Sequence, residues 1–110
     1  MPKRRGILDY RRPEDITSHV LMDISDERLR QDAKWGVQNH SQMIWLGILA
    51  EEFGEAAKEI NELHFRPGDA VHIDNSHECK PHRIERVRAE LIQVAAVAVA
   101  MVESLDRRGE

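Results

Sequence analysis

The residues best suited to chemistry in this chain are the glutamates of Glu51-Glu52-Phe53-Gly54-Glu55. Residues three apart are neighbours on a helix surface, so Glu52 and Glu55 can address one ion. In a helical register Glu52 lies among Ile48, Leu49, Phe53 and Ala56, on the border of an apolar stripe. A carboxylate there is costly unless it is paired, protonated or bound to a metal. Gly54 is out of place inside a helix, where glycine costs about 1 kcal/mol relative to alanine. Gly47 lies on the same face one heptad earlier, and the two glycines would admit a helix or a ligand close to Glu51. Further on, Glu90 and Gln93 form a second pair of oxygen donors three apart, at the start of an apolar run. Two helices that each supply such a pair make a four-residue cage inside a bundle. Oxygen-only donors select hard cations such as magnesium or manganese, which bridge phosphates and keep several waters. The bland alternative is a solvated glutamate face, which an E-E-x-x-E string alone does not exclude.

A second cluster, His72, His77, Cys79 and His82, offers zinc donors, but its spacing matches no standard finger. A polar loop or lid is the plainer reading. Arg83, Arg86 and Arg88 read as a solvated helix face, with a phosphate contact as the sharper alternative.

The elements that must carry these residues are helices. Aromatic residues make up only 5% of the 110 residues, 41% are hydrophobic and 33% charged, which favours a globular helical protein over a β-sandwich. Residues 1–22 have no clean period, and Pro13 reads as a helix break, so this segment is expected to be an arm. A first helix is expected from Ser25 or Asp26 to Trp35, ended by Gly36. A second should start after a Ser41 cap and reach about His64. Its stripe is Leu49, Phe53, Ala56, Ile60 and Leu63. Residues 65–80 read as a polar loop, with Arg66, Pro67 and Gly68 ending the helix. Pro81 suits the first turn of a third helix reaching Leu105, with Ile84, Val87, Leu91, Val94, Ala98, Met101 and Leu105 as its core stripe. Leu91 to Val102 is apolar all round except for Gln93. Three helices cannot cover it, so a second copy is the simplest cover.

Taken together, Trp35-Gly36-Val37-Gln38-Asn39-His40, Trp45, the E-E-x-x-E element and Glu90-Leu91-Ile92-Gln93 resemble the MazG-like family of all-α nucleoside triphosphate pyrophosphohydrolases. The likeness spans residues 25 to 105 and is to the small single-domain members of bacteria and phages. It implies magnesium-dependent cleavage of a nucleoside triphosphate to monophosphate and pyrophosphate. It matches Glu52, Glu55 and Glu90 to metal-binding positions, with Glu51 as an added ligand or base. It also implies a nucleotide-proximal histidine at His40, base stacking at Trp35 or Trp45, and a phosphate contact at Lys34. Core or interface packing is the plainer reading of both tryptophans. Two departures stand out: Gln93 replaces the family's aspartate, and the stretch between Glu55 and Glu90 is long. Gln93 either ligates the cation through its amide oxygen, the favoured reading, or hydrogen-bonds a group that does.

The expectation is thus a single all-α domain over 1–110, a helical bundle with a core at 25–105, completed as a dimer or tetramer and acting on a nucleoside triphosphate with magnesium or manganese. Rival readings are a non-catalytic nucleotide-binding module of the same fold and a purely structural helical dimer. The formal charge of −4 gives no reason to expect duplex nucleic acid as a partner. No apolar run spans a bilayer, the single cysteine forms no internal disulfide, and no apolar run follows the basic residues Lys3, Arg4 and Arg5, so the cytoplasm is the expected location.

Overall fold

A computed structural model describes residues 12–65 and 80–108 of the chain. These form three helices, α1 (Pro13–Trp35), α2 (Gln42–Phe65) and α3 (Lys80–Arg107), and no strand occurs among the described residues. The all-α expectation is met. None of the helices is long and apolar enough to cross a membrane.

Helix boundaries follow local chemistry. α1 begins with Pro13 in its first turn, where a missing N–H costs nothing. The expected arm over 1–22 is therefore corrected for residues 13–22, which are helical: Pro13 opens a helix rather than breaking one. Glu14 and Asp15 in the first turn and Lys34 in the last suit the helix dipole. Gly36 ends α1 with φ 77° and ψ 171°, a region open essentially to glycine alone, and its N–H donates to Asp32 O at 2.8 Å. Ser41 caps α2: its Oγ accepts from the Ile44 N–H at 3.4 Å, and its carbonyl accepts from Trp45 N–H at 3.0 Å. The loop histidines His72 and His77, Cys79, and Arg66 to Gly68 lie outside the described residues.

α3 is the shared element. It packs against α1 and against α2, while α1 and α2 barely touch. The core is small: Trp45, Ala56, Ala96, Val97 and Ala100 are the buried hydrophobics, with Ile48, Leu49 and Met101 packed beside them. Two expected stripes are corrected. On α2, Phe53 faces outward at 65% exposure, and the inner face runs instead through Trp45, Ile48, Leu49, Glu52 and Ala56. On α3, Ile84, Leu91, Ala98 and Leu105 are exposed, and the buried line runs through Arg83, Val97, Ala100 and Ser104 with half-buried Glu90 and Gln93 between them. Val87, Val94 and Met101 sit between the two faces, half-buried. The cause is position: α3 turns its polar line toward both neighbours, so its most apolar heptad line is left outside.

Candidate functional site

Where α1, α2 and α3 converge, they enclose a cavity of about 200 Å³. Its apolar wall is Trp35, Trp45, Ile48, Val97 and Ala100, and its polar wall is Arg28, Gln31, Asp32, Gln38, Glu52 and Gln93. The helical registers explain the set. Gln31 and Trp35 are one turn apart on α1, Trp45, Ile48 and Glu52 share a face of α2, and Gln93, Val97 and Ala100 share a face of α3.

Glu52 is half-buried, and its carboxyl is pushed above the usual 4.5 by burial first and then by the charges of Glu90, Glu51, Glu55 and Glu27. No hydrogen bond offsets this among the described residues. Glu90 is raised for the same kind of reason, by burial and then by Glu55 and Glu59. Three helices thus bring carboxylates toward one region, and Glu59, which answers Arg86 Nε at 3.2 Å, borders it. Among the described residues no three His, Cys, Asp or Glu side chains converge into a ready metal cage. The donor chemistry nonetheless fits a hard cation: the groups are all oxygen, near one another, and destabilised by their own charge.

The expected site residues fall into one connected region. Trp35, Trp45, Glu52 and Gln93 line the cavity. Glu51, Glu55 and Glu90 surround Glu52 electrostatically, with Glu51 and Glu55 exposed and Glu90 half-buried. Lys34 holds its Nζ 4.6 Å from the centroid of the Trp35 ring, a cation–π contact at the exposed end of α1. His40 meets Trp45 edge to face at 4.9 Å. The two tryptophans differ: Trp45 is only 3% exposed and sits in the core with Val97 and Ala100, whereas Trp35 is 54% exposed. Only Trp35 presents a ring to which a flat ligand has access. Trp45 Nε1 is buried with no hydrogen-bond partner among the described residues.

Gln93 is engaged at both ends. Its Oε1 accepts from Gln31 Nε2 at 3.3 Å, and its amide helps to hold the Glu27 carboxyl low. The oxygen that a cation would need already accepts a hydrogen bond.

Sequence reasoning missed the α1 side of the site: Arg28, Gln31 and Asp32 in the polar wall, and Glu27 bonded to Gln31. Glu27 is buried, and its carboxyl is held below the usual range chiefly by a hydrogen bond from Arg30, against the opposing effect of burial. Arg28 is also buried; burial disfavours its charge, but Glu103 and Asp32 outweigh that and raise it. Its Nε and Nη2 donate to Glu103 Oε1 at 3.1 and 2.6 Å, Nη2 to Asp32 Oδ1 at 2.9 Å, and Nη1 to Gln31 Oε1 at 3.0 Å. The signal was present: Val20 and Ile24 set an inward line on α1 that continues at helical spacing into Glu27, Arg28 and Gln31. Comparison with protein-family models, with curated proteins and with solved structures gives no match.

Proposed function

We propose that the chain is a nucleoside triphosphate pyrophosphohydrolase of MazG-like type that works with magnesium, or manganese, as a homo-oligomer. The observation that carries this reading is Glu52: a half-buried, uncompensated carboxylate among like charges, at the rim of an aromatic-walled cavity. Such a group is eased by a proton or by a cation, and no cation among the described residues lowers its pKa. Glu52, Glu55 and Glu90 would hold the cation. The ion would supply charge neutralisation on the phosphates and polarisation at the bond to be cleaved.

The chain's own residues divide the remaining work. Arg28 is the one cation lining the cavity among the described residues, and it is committed to Glu103 and Asp32, so the cavity itself favours a neutral ring over a phosphate. Trp35 offers the ring a face, and Gln38 offers its amide. Lys34, on the outer side of Trp35, suits a phosphate oxygen. Glu51, exposed beside Glu52, suits the orientation of an attacking water.

Assembly is supported by apolar seams left open. On α2, Met43, Leu46, Phe53 and Ile60 are exposed, and with Ala50 and Ala57 they recur at heptad spacing. On α3, Ile84, Leu91, Ala98 and Leu105 do the same. Gly47 and Gly54 have open space among the described residues where a Cβ would stand, which leaves room there for a close approach. Sedimentation at micromolar concentration should show at least a dimer, and Ala98→Glu should lower that mass toward the 12.7 kDa chain.

The non-catalytic reading is favoured by Gln93 in place of an acid and by the open arrangement of the glutamates. One assay separates the two. A panel of ribo- and deoxynucleoside triphosphates with magnesium should yield monophosphate and pyrophosphate from at least one member. Binding without turnover across the panel would support the module, and release of orthophosphate would point to a different phosphohydrolase.

A further inference from the structure

We propose that Arg107 and Arg108, at the end of α3, are positioning residues for the cavity, and that they act by clasping the linker between α1 and α2. This rests on the reading that the cavity takes part of a nucleotide. The linker, residues 36–41, carries Gln38 in the cavity wall and His40 against the Trp45 ring. Its two ends are tied by the backbone: Gly36 N–H to Asp32 O at 2.8 Å, and Trp45 N–H to Ser41 O at 3.0 Å. Between those ties no backbone–backbone bond holds it among the described residues.

The bonds that do hold it come from α3. Arg107 Nη2 donates to Gln38 O at 3.0 Å, and Arg107 Nε donates to Asn39 Oδ1 at 3.0 Å. Arg108 Nη2 donates to His40 O at 2.9 Å. Two of the three acceptors are main-chain carbonyls, so the clasp fixes the path of the backbone whatever its side chains do. Arg107 reaches its two acceptors with two different nitrogens of its planar fork, a spread that the single nitrogen of an ammonium does not match. Gly36, with φ 77° and open space beside it among the described residues, gives the linker a turning point. Without the clasp, Gln38 loses its fixed place and a ligand must order the linker as it binds. Affinity then falls while the glutamates, on α2 and α3, keep their arrangement.

The test uses the whole 110-residue chain. In hydrogen exchange without ligand, the amides of Val37 to His40 should exchange faster in the Arg107→Ala/Arg108→Ala variant, with the core amides of α2 and α3 unchanged. Arg108→Lys, which keeps its single donor, should restore wild-type exchange, and Arg107→Lys should do so only in part. The bonds are exposed and charge-assisted, so raising salt from about 0.05 to about 1 M should speed linker exchange in the wild type but not in the double variant. Titration with magnesium and a non-hydrolysable nucleoside triphosphate should show Kd about tenfold weaker in the double variant, roughly one lost anchoring hydrogen bond, and turnover should show the change in KM rather than kcat. Unchanged linker exchange would overturn the clasp. Faster exchange with unchanged Kd would overturn its role at the cavity. If the wild type binds no nucleotide, the nucleotide reading and the clasp's role at the cavity fail together, while the exchange arm still decides the clasp itself.

Discussion

Between α1 and α3, charge is taken inside and answered. Arg28 meets Glu103, Asp32 and Gln31, and Glu27 meets Arg30, Gln31 and Gln93. Between α2 and α3, Glu59 is answered by Arg86, but among the described residues Glu52 and Glu90 are left without a partner and are raised by burial and by their acidic neighbours. The same helix, α3, supplies one wall of each region. A buried charge with its partners in the chain needs nothing further and serves to hold α1 in place. A half-buried carboxylate without such partners is eased by a proton or by a cation, and that asymmetry separates the candidate site from its scaffold.

The sharpest break of this contrast comes from neutralising each side in turn. Glu52→Gln or Glu55→Gln should lower nucleotide turnover by at least about two orders of magnitude, the usual cost of one key electrostatic contact. Folding should survive, and metal-free Glu52→Gln should melt higher than the wild type because an uncompensated charge has gone. Near-normal turnover in both variants, read by pyrophosphate release, would move the site elsewhere.

Arg28→Ala should act in the opposite sense. It removes the centre of the answered network and should destabilise the fold by roughly 2 kcal/mol, less than the 3–5 of a fully buried pair, because Glu103 and Asp32 retain access to water. Urea unfolding measures this. A stable Arg28→Ala protein would mean that α1 is held by its apolar contacts alone.

The two regions should also separate with pH in the metal-free protein. Glu52 and Glu90 have folded pKa values above their unfolded ones, so their protonated forms favour the fold, and stability rises as pH falls through those folded values toward the unfolded 4.5. Glu27 is held low, so its contribution is present above the unfolded value of 4.5 and is lost as pH falls through its folded pKa. The melting temperature should therefore rise and then fall on acidification. Glu52→Gln should flatten the upper limb, and Glu27→Gln the lower. A melting temperature that only falls from pH 7 downward would contradict the raised pair.

The smallest effect concerns the residue common to both regions. Gln93 touches Gln31 and Glu27 on one side and borders the glutamates on the other. Gln93→Asp would set a carboxylate beside Glu27 and should leave magnesium affinity flat or weaker by calorimetric titration. A tightening of about tenfold would instead make position 93 a ligand, as one added charge at the cation would.

Much of this was legible in the sequence where a residue type has one physical use. Ser41, Gly36 and Pro81 mark helix ends because each satisfies or forgoes a particular backbone group, and the E-E-x-x-E spacing sets Glu52 and Glu55 one turn apart once the segment is helical. Reading failed where a residue has two uses. Pro13 breaks a helix or opens one, and only the chain before it decides. The heptad Ile84, Leu91, Ala98, Leu105 looks like a core line, and Arg83, Glu90, Gln93 and Ser104 look like a surface one. The structure turns them the other way because α3 has two neighbours to address. Glu27 and Arg28 were passed over for the same reason, although Val20 and Ile24 mark their face: a charged side chain is read as solvated until its partners are known.

Trp35 and Trp45, an exposed indole and an enclosed one on the same cavity, are also the only two tryptophans in the chain. Their emission should separate into a red-shifted and a blue-shifted band. A ligand on the Trp35 face would quench the red band first and leave the blue one as an internal standard. The protein therefore carries its own ratiometric optical sensor for occupancy, usable without a label and before any substrate is known.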